Sequence, residues 1–199
     1  MPERRLLWAL GVTAGICWAA WAYFLFFFNI GAIPSPWDPW RIVFYLLLFL
    51  TPALTFVPIG RWLQWPFFGP YAVLGWAAFG YLWAFGPPGS ETLPPEKHPL
   101  LQVMVGEESP LGLWYFFLAL FVVLTTVLAP PAYRLGLRLF TSRTHRQDVL
   151  RAWREAGLLS LYFVGMALIR SLGLFTWPIA LLSFLFLVLV EALFLARKG

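Results

Sequence analysis

Long apolar runs constrain this chain more than any other feature. Six of them, at approximately residues 6–29, 41–59, 66–85, 111–128, 157–174 and 178–196, lie close to the length needed for a membrane span. A helix requires ~20 residues to cross ~30 Å of hydrocarbon. Lipid supplies no hydrogen bonds, so a continuous apolar segment must satisfy its own backbone, and the helix does this within one segment. Composition agrees, because 61% of the residues are hydrophobic and only 12% are charged. A soluble domain of ordinary composition is about one quarter charged. The expected fold is an all-α integral membrane protein with six transmembrane helices in a single domain over residues 1–199. An amphipathic juxtamembrane helix is expected before helix five.

The punctuation between runs follows proline and charge. "MPERR" leads into a first run that continues through "WAYFLFFF", longer than the roughly 7–15 apolar residues of a signal peptide, so it reads as a retained anchor. "GAIPSPWDPWR" is a loop, and residues 86–110 form a long Pro-, Gly- and Glu-rich outer loop. Pro130 and Pro131 are expected to stop the fourth run near Leu128, and Pro52 to kink the second. The basic inner loop, 133–156, sets Leu150 and Trp153 against Arg146, Arg151 and Arg154 at helical spacing, a pattern suited to a helix lying on headgroups. "TWP" at 176–178 divides the last forty residues into two spans, since proline fits the first turn of a helix.

Six spans place both termini on one side. That side would hold Arg4, Arg5, Arg61, Arg134, Arg138, Arg143, Arg146, Arg151, Arg154, Arg197 and Lys198, against Arg41 and Lys97 opposite. Cytoplasmic loops carry the lysine and arginine excess, so the termini are expected inside the cytoplasmic (inner) membrane. The net charge of +5 is then a topological signal, not a nucleic-acid footprint.

Two charges fall within apolar runs. Arg170 lies thirteen residues past the start of run five, roughly 20 Å across, where its side chain can reach the outer boundary. Glu191 lies near the inner end of run six, and Arg154 and Arg197 are its expected partners. Intramembrane charges are candidate functional groups as well as anchors. Gly11 and Gly15, in "GVTAG", form a small-xxx-small pair that lets helices approach closely, within the chain or with a partner. Arg143, Arg146, Arg151 and Arg154 are candidates for contact with anionic lipid or a partner.

Catalytic signatures are missing from the sequence. His98 and His145, and likewise Asp38 and Asp148, fall in segments expected on opposite sides, and no HExxH, GxSxG, P-loop or dinucleotide fingerprint occurs. Cys17 is the only cysteine. No catalytic residue, metal site or cofactor is expected, and the outer acids Glu91, Glu96, Glu107 and Glu108 read as a solvated face. The leading reading is a non-catalytic accessory or structural subunit whose partners are lipids and other membrane proteins. Two alternatives accompany it. In size and layout the chain resembles the substrate-binding components of energy-coupling-factor vitamin transporters, a resemblance that implies an outward pocket lined by Arg170, Trp177 and the outer loops. The other is a lipid, quinone or pigment binder using Trp18, Trp21 and Trp76.

Overall fold

The computed structural model describes residues 2–28, 30–65, 67–85, 110–139 and 149–197. All of the long elements are helices: α1 (Pro2–Phe26), α2 (Pro39–Leu63), α3 (Phe68–Phe85), α4 (Pro110–Leu139), α5 (Val149–Ser171) and α6 (Trp177–Arg197). A short 3-10 turn, Ile30–Ala32, follows α1. Among the described residues five helices, all but α3, are long and apolar enough to cross a membrane. The sequence of α3 is free of charge but carries tryptophan, tyrosine and glycine, which lower its hydropathy. The chain divides into two units, Met1–Ala119 and Leu120–Gly199, with α4 contributing to both.

The first unit is an antiparallel arrangement of α1, α2 and α3 around aromatic rings. Asp38 begins α2 by accepting a hydrogen bond from the Trp40 N–H at 2.9 Å, ahead of Pro39 in the first turn. The helix then runs unbroken through Pro52 and Pro58. Its contacts fix the direction of α1: the Thr51 hydroxyl points at the Cys17 carbonyl, 3.5 Å away, and Phe24 meets Phe44 nearer the loop. The Trp18 indole N–H donates to the Thr55 hydroxyl at 2.9 Å. Trp21, Phe24, Leu25, Ile30, Phe44, Leu48 and Ala77 make the core.

α3 runs back along the full length of α2. At one end Gly60 lies against Phe68; at the other, Phe85 packs on Phe44 and Tyr45. In between, Gly80 brings the α3 backbone against Leu48 and Trp21, leaving no space for a side chain. Arg41 closes that end by donating to the Gly31 carbonyl and lying over the Phe85 ring, 5.1 Å from its centroid.

The second unit contains the latter part of α4 with α5 and α6. Two expectations are corrected here. Pro130 and Pro131 do not stop the fourth helix, which continues to Leu139. Each proline deletes one N–H, but unwinding in hydrocarbon would free many more backbone groups, so helix persists. The amphipathic segment is not a separate surface helix either: from Val149 it is continuous with the rest of α5, through Gly157. A mid-helix glycine costs only ~1 kcal/mol relative to alanine, too little to force a break. α5 and α6 are antiparallel, with Tyr162 donating to the Ala180 carbonyl and packing on Phe184.

Candidate functional site: a charged groove of the second unit

The first two turns of α5 carry Arg151, Arg154 and Glu155, and all three turn toward other protein groups. Arg151 is 1% exposed, and its Nε lies 3.3 Å from Glu155 Oε1, one helical turn along. The guanidinium occupies the space beside Gly136 on α4, where even a methyl group would overlap it. Any larger residue at 136 would oblige the guanidinium to move.

Arg154 reaches across to α6. Its Nε donates to Glu191 Oε2 at 2.9 Å and its Nη2 to Oε1 at 2.5 Å, a side-on bidentate pair. The same guanidinium lies over the Phe194 ring, 4.9 Å from the centroid. Of the two arginines considered as partners for Glu191, Arg154 makes this contact. Two cations and two carboxylates thus form a formally neutral group tying α5 to α6 and seating α5 on α4.

The two carboxylates also line a groove of about 480 Å³ walled by Leu128, Pro131, Leu135, Leu158, Phe184 and Val188, among others. Its lining is graded along the helix axes. Glu155, Glu191 and Leu135 lie at one end; Leu128, Leu159 and Phe184 lie at the other, wholly hydrocarbon. The antiparallel contacts between Arg154 and Glu191, and between Tyr162 and Ala180, set this register.

The remaining candidate residues are scattered. Arg170 is exposed in the last turn of α5. There Gly173, at φ +72°, ends the helix: its N–H bonds to the Arg170 carbonyl at 3.1 Å, and the Leu174 N–H bonds to the Ile169 carbonyl at 3.0 Å. A cation in this turn complements the helix dipole. Trp177, which starts α6, is exposed as well. Gly11 and Gly15 face outward on α1, where an added methyl would meet nothing within 4 Å. Trp18, Trp21 and Trp76 pack edge-to-face on one another, with centroids 4.8–6.0 Å apart. Arg143, Arg146, both histidines and the acids Glu91, Glu96, Glu107 and Glu108 lie outside the described residues.

Sequence reasoning missed Glu155 and Gly136. Glu155 had a legible signal, since it stands four residues after Arg151 on one helix face. Gly136 had none, because the guanidinium that needs its space comes from a different helix.

The apolar helices are those of a membrane-embedded, all-α protein. No known family model, curated protein or solved structure matches the chain.

Proposed function

We propose that this chain is a non-catalytic, multi-pass subunit of the cytoplasmic membrane that packs against other membrane proteins through α6 and the open face of α1. The supporting observation is the surface of α6. From Trp177 to Phe194 only 6% of that helix is buried, and Leu181, Leu182, Leu185, Phe186 and Leu189 all point outward. Between helices in lipid there is little hydrophobic drive, so association depends on packing area and polar contacts. A helix with so little packing in its own unit is completed by another chain.

Six crossings with both termini cytoplasmic belong to the same proposal. α3 is antiparallel to α2 over its whole length, so a chain that crosses in α2 returns in α3. The arginine excess on the side of the termini supports their cytoplasmic location.

Isolation in mild detergent, with a photoreactive amino acid at Phe186, tests the subunit reading. Discrete adducts to one or two co-purifying membrane proteins are expected. A particle of monomer mass that yields only lipid adducts would overturn it. Topology is tested in a Cys17→Ser background: cysteine at His98 should be labelled from outside intact cells, and cysteine at His145 only after permeabilisation.

A further inference from the structure

The geometry points to the α4–α5–α6 groove as a binding site for one membrane lipid whose headgroup carries a primary ammonium. This assignment does not rest on the subunit reading.

Three features favour an amphiphile. The groove's volume, about 480 Å³, lies within the ~300–1,000 Å³ usual for ligand clefts. Its graded wall matches a molecule with one polar and one hydrocarbon end. From Leu128 to Leu135 it extends seven residues, roughly 10 Å, along the axis of α4, a helix long and apolar enough to cross a membrane.

The headgroup class follows from hydrogen-bonding character. The polar residues of the lining are Glu155 and Glu191, acceptors that favour a cationic donor. Arg154 occupies Glu191 from the α5 side with one bond to each oxygen, and a carboxylate has about four acceptor positions, so acceptor capacity remains toward the groove. A lipid tail gains little by leaving one hydrocarbon environment for another, so the leucine wall supplies shape and the carboxylates supply selection. An ammonium with N–H donors suits them. A trimethylated ammonium has the same charge and no N–H, and a glycerol headgroup offers only neutral hydroxyl donors, which make the weaker bond to a carboxylate.

The probes are therefore phosphatidylethanolamine, phosphatidylcholine and phosphatidylglycerol with identical acyl chains. The full-length protein is reconstituted in equimolar mixtures and its retained lipid measured by native mass spectrometry. Phosphatidylethanolamine should be retained roughly five-fold over phosphatidylcholine, a ratio expected for about one good hydrogen bond in a membrane. Val188→Trp, which fills the groove while keeping all four charged residues, should abolish the preference; Leu159→Phe, from the α5 wall, should reduce it. Equal retention of the two zwitterionic lipids by the wild type would overturn the headgroup assignment, as would preferential retention of phosphatidylglycerol. Preference that survives both groove-filling variants would overturn the location. So would loss of a co-purifying protein in those variants with lipid retention unchanged, because the groove would then seat a partner helix.

Discussion

Arg154 and Glu191, thirty-seven residues apart in sequence, are joined by two nearly parallel N–H···O bonds that bind α5 to α6. The register between these helices follows from that pair together with Tyr162 and Ala180. Both side chains are about one-fifth exposed, so neither is fully solvated and neither is sealed away. Burial of an ion pair is weak support for net stability, whereas removal of one partner is costly. Arg154→Leu should therefore destabilise the protein by about 3 kcal/mol, by stranding a carboxylate among leucines and phenylalanines. The double variant Arg154→Leu/Glu191→Leu should recover most of that loss. Reversible unfolding in mixed micelles measures both, and a double variant no better than the single one would show that the pair does not act as a unit.

Gly136 gives a test in which two effects have opposite signs. Helix propensity alone makes Gly→Ala favourable by ~1 kcal/mol in a helix interior. At 136 the added methyl would overlap the Arg151 guanidinium, which is 1% exposed and would have to leave its place beside Glu155. Overpacking of this kind costs about 1–3 kcal/mol. Gly136→Ala should be destabilising overall, while Gly165→Ala, with nothing within 4 Å, should be neutral or stabilising. Unfolding midpoints of the two variants in the same detergent decide the sign.

The α2–α3 turn contains a replaceable strain. Gln64 ends α2 in the left-handed region, φ 54° and ψ 37°, with its N–H on the Arg61 carbonyl and the Trp65 N–H on the Gly60 carbonyl. Glycine takes this conformation without the Cβ penalty. Gln64→Gly should stabilise by about 1 kcal/mol, partly offset by the greater freedom of glycine in the unfolded chain. A fall in unfolding midpoint would mean that the glutamine side chain contributes more than the strain costs.

The helical, membrane-embedded character was legible because it depends on run length and composition, properties local to each segment. A helix end was legible at the "TWP" corner, where proline acts on its own turn of α6. The start expected for α2, at 41, falls two residues late, because Asp38 reads as part of the loop and not as a cap. Pro130 and Pro131 misled because the usual rule for proline assumes that water will take the freed carbonyls, and hydrocarbon cannot. The direction of Arg151 was illegible for a different reason. A cation in a basic inner segment reads as headgroup-facing, yet the vacancy that draws it inward is made by Gly136 on another helix. Pairing between helices is a tertiary property, and a single sequence carries little record of it.

Glycines on α1 and α3 look alike in sequence but occupy opposite environments, which separates folding from assembly. A Cβ at Gly80 would come within 2.6 Å of Leu48 Cδ2 and 2.7 Å of the Trp21 ring. Gly80→Ala should therefore destabilise the isolated chain by about 1–3 kcal/mol, and trimming its neighbour in Gly80→Ala/Leu48→Ala should cost less than the two single changes added together. Gly11 and Gly15 meet nothing within 4 Å. Gly11→Leu/Gly15→Leu should leave the unfolding midpoint of the purified chain unchanged or raise it, since no internal contact is crowded and leucine is the better helix former. If the open face of α1 receives a partner helix, the same double variant should abolish co-purification, because leucines at both positions hold two backbones apart. Unchanged co-purification would remove α1 from the proposed interface and leave it to α6.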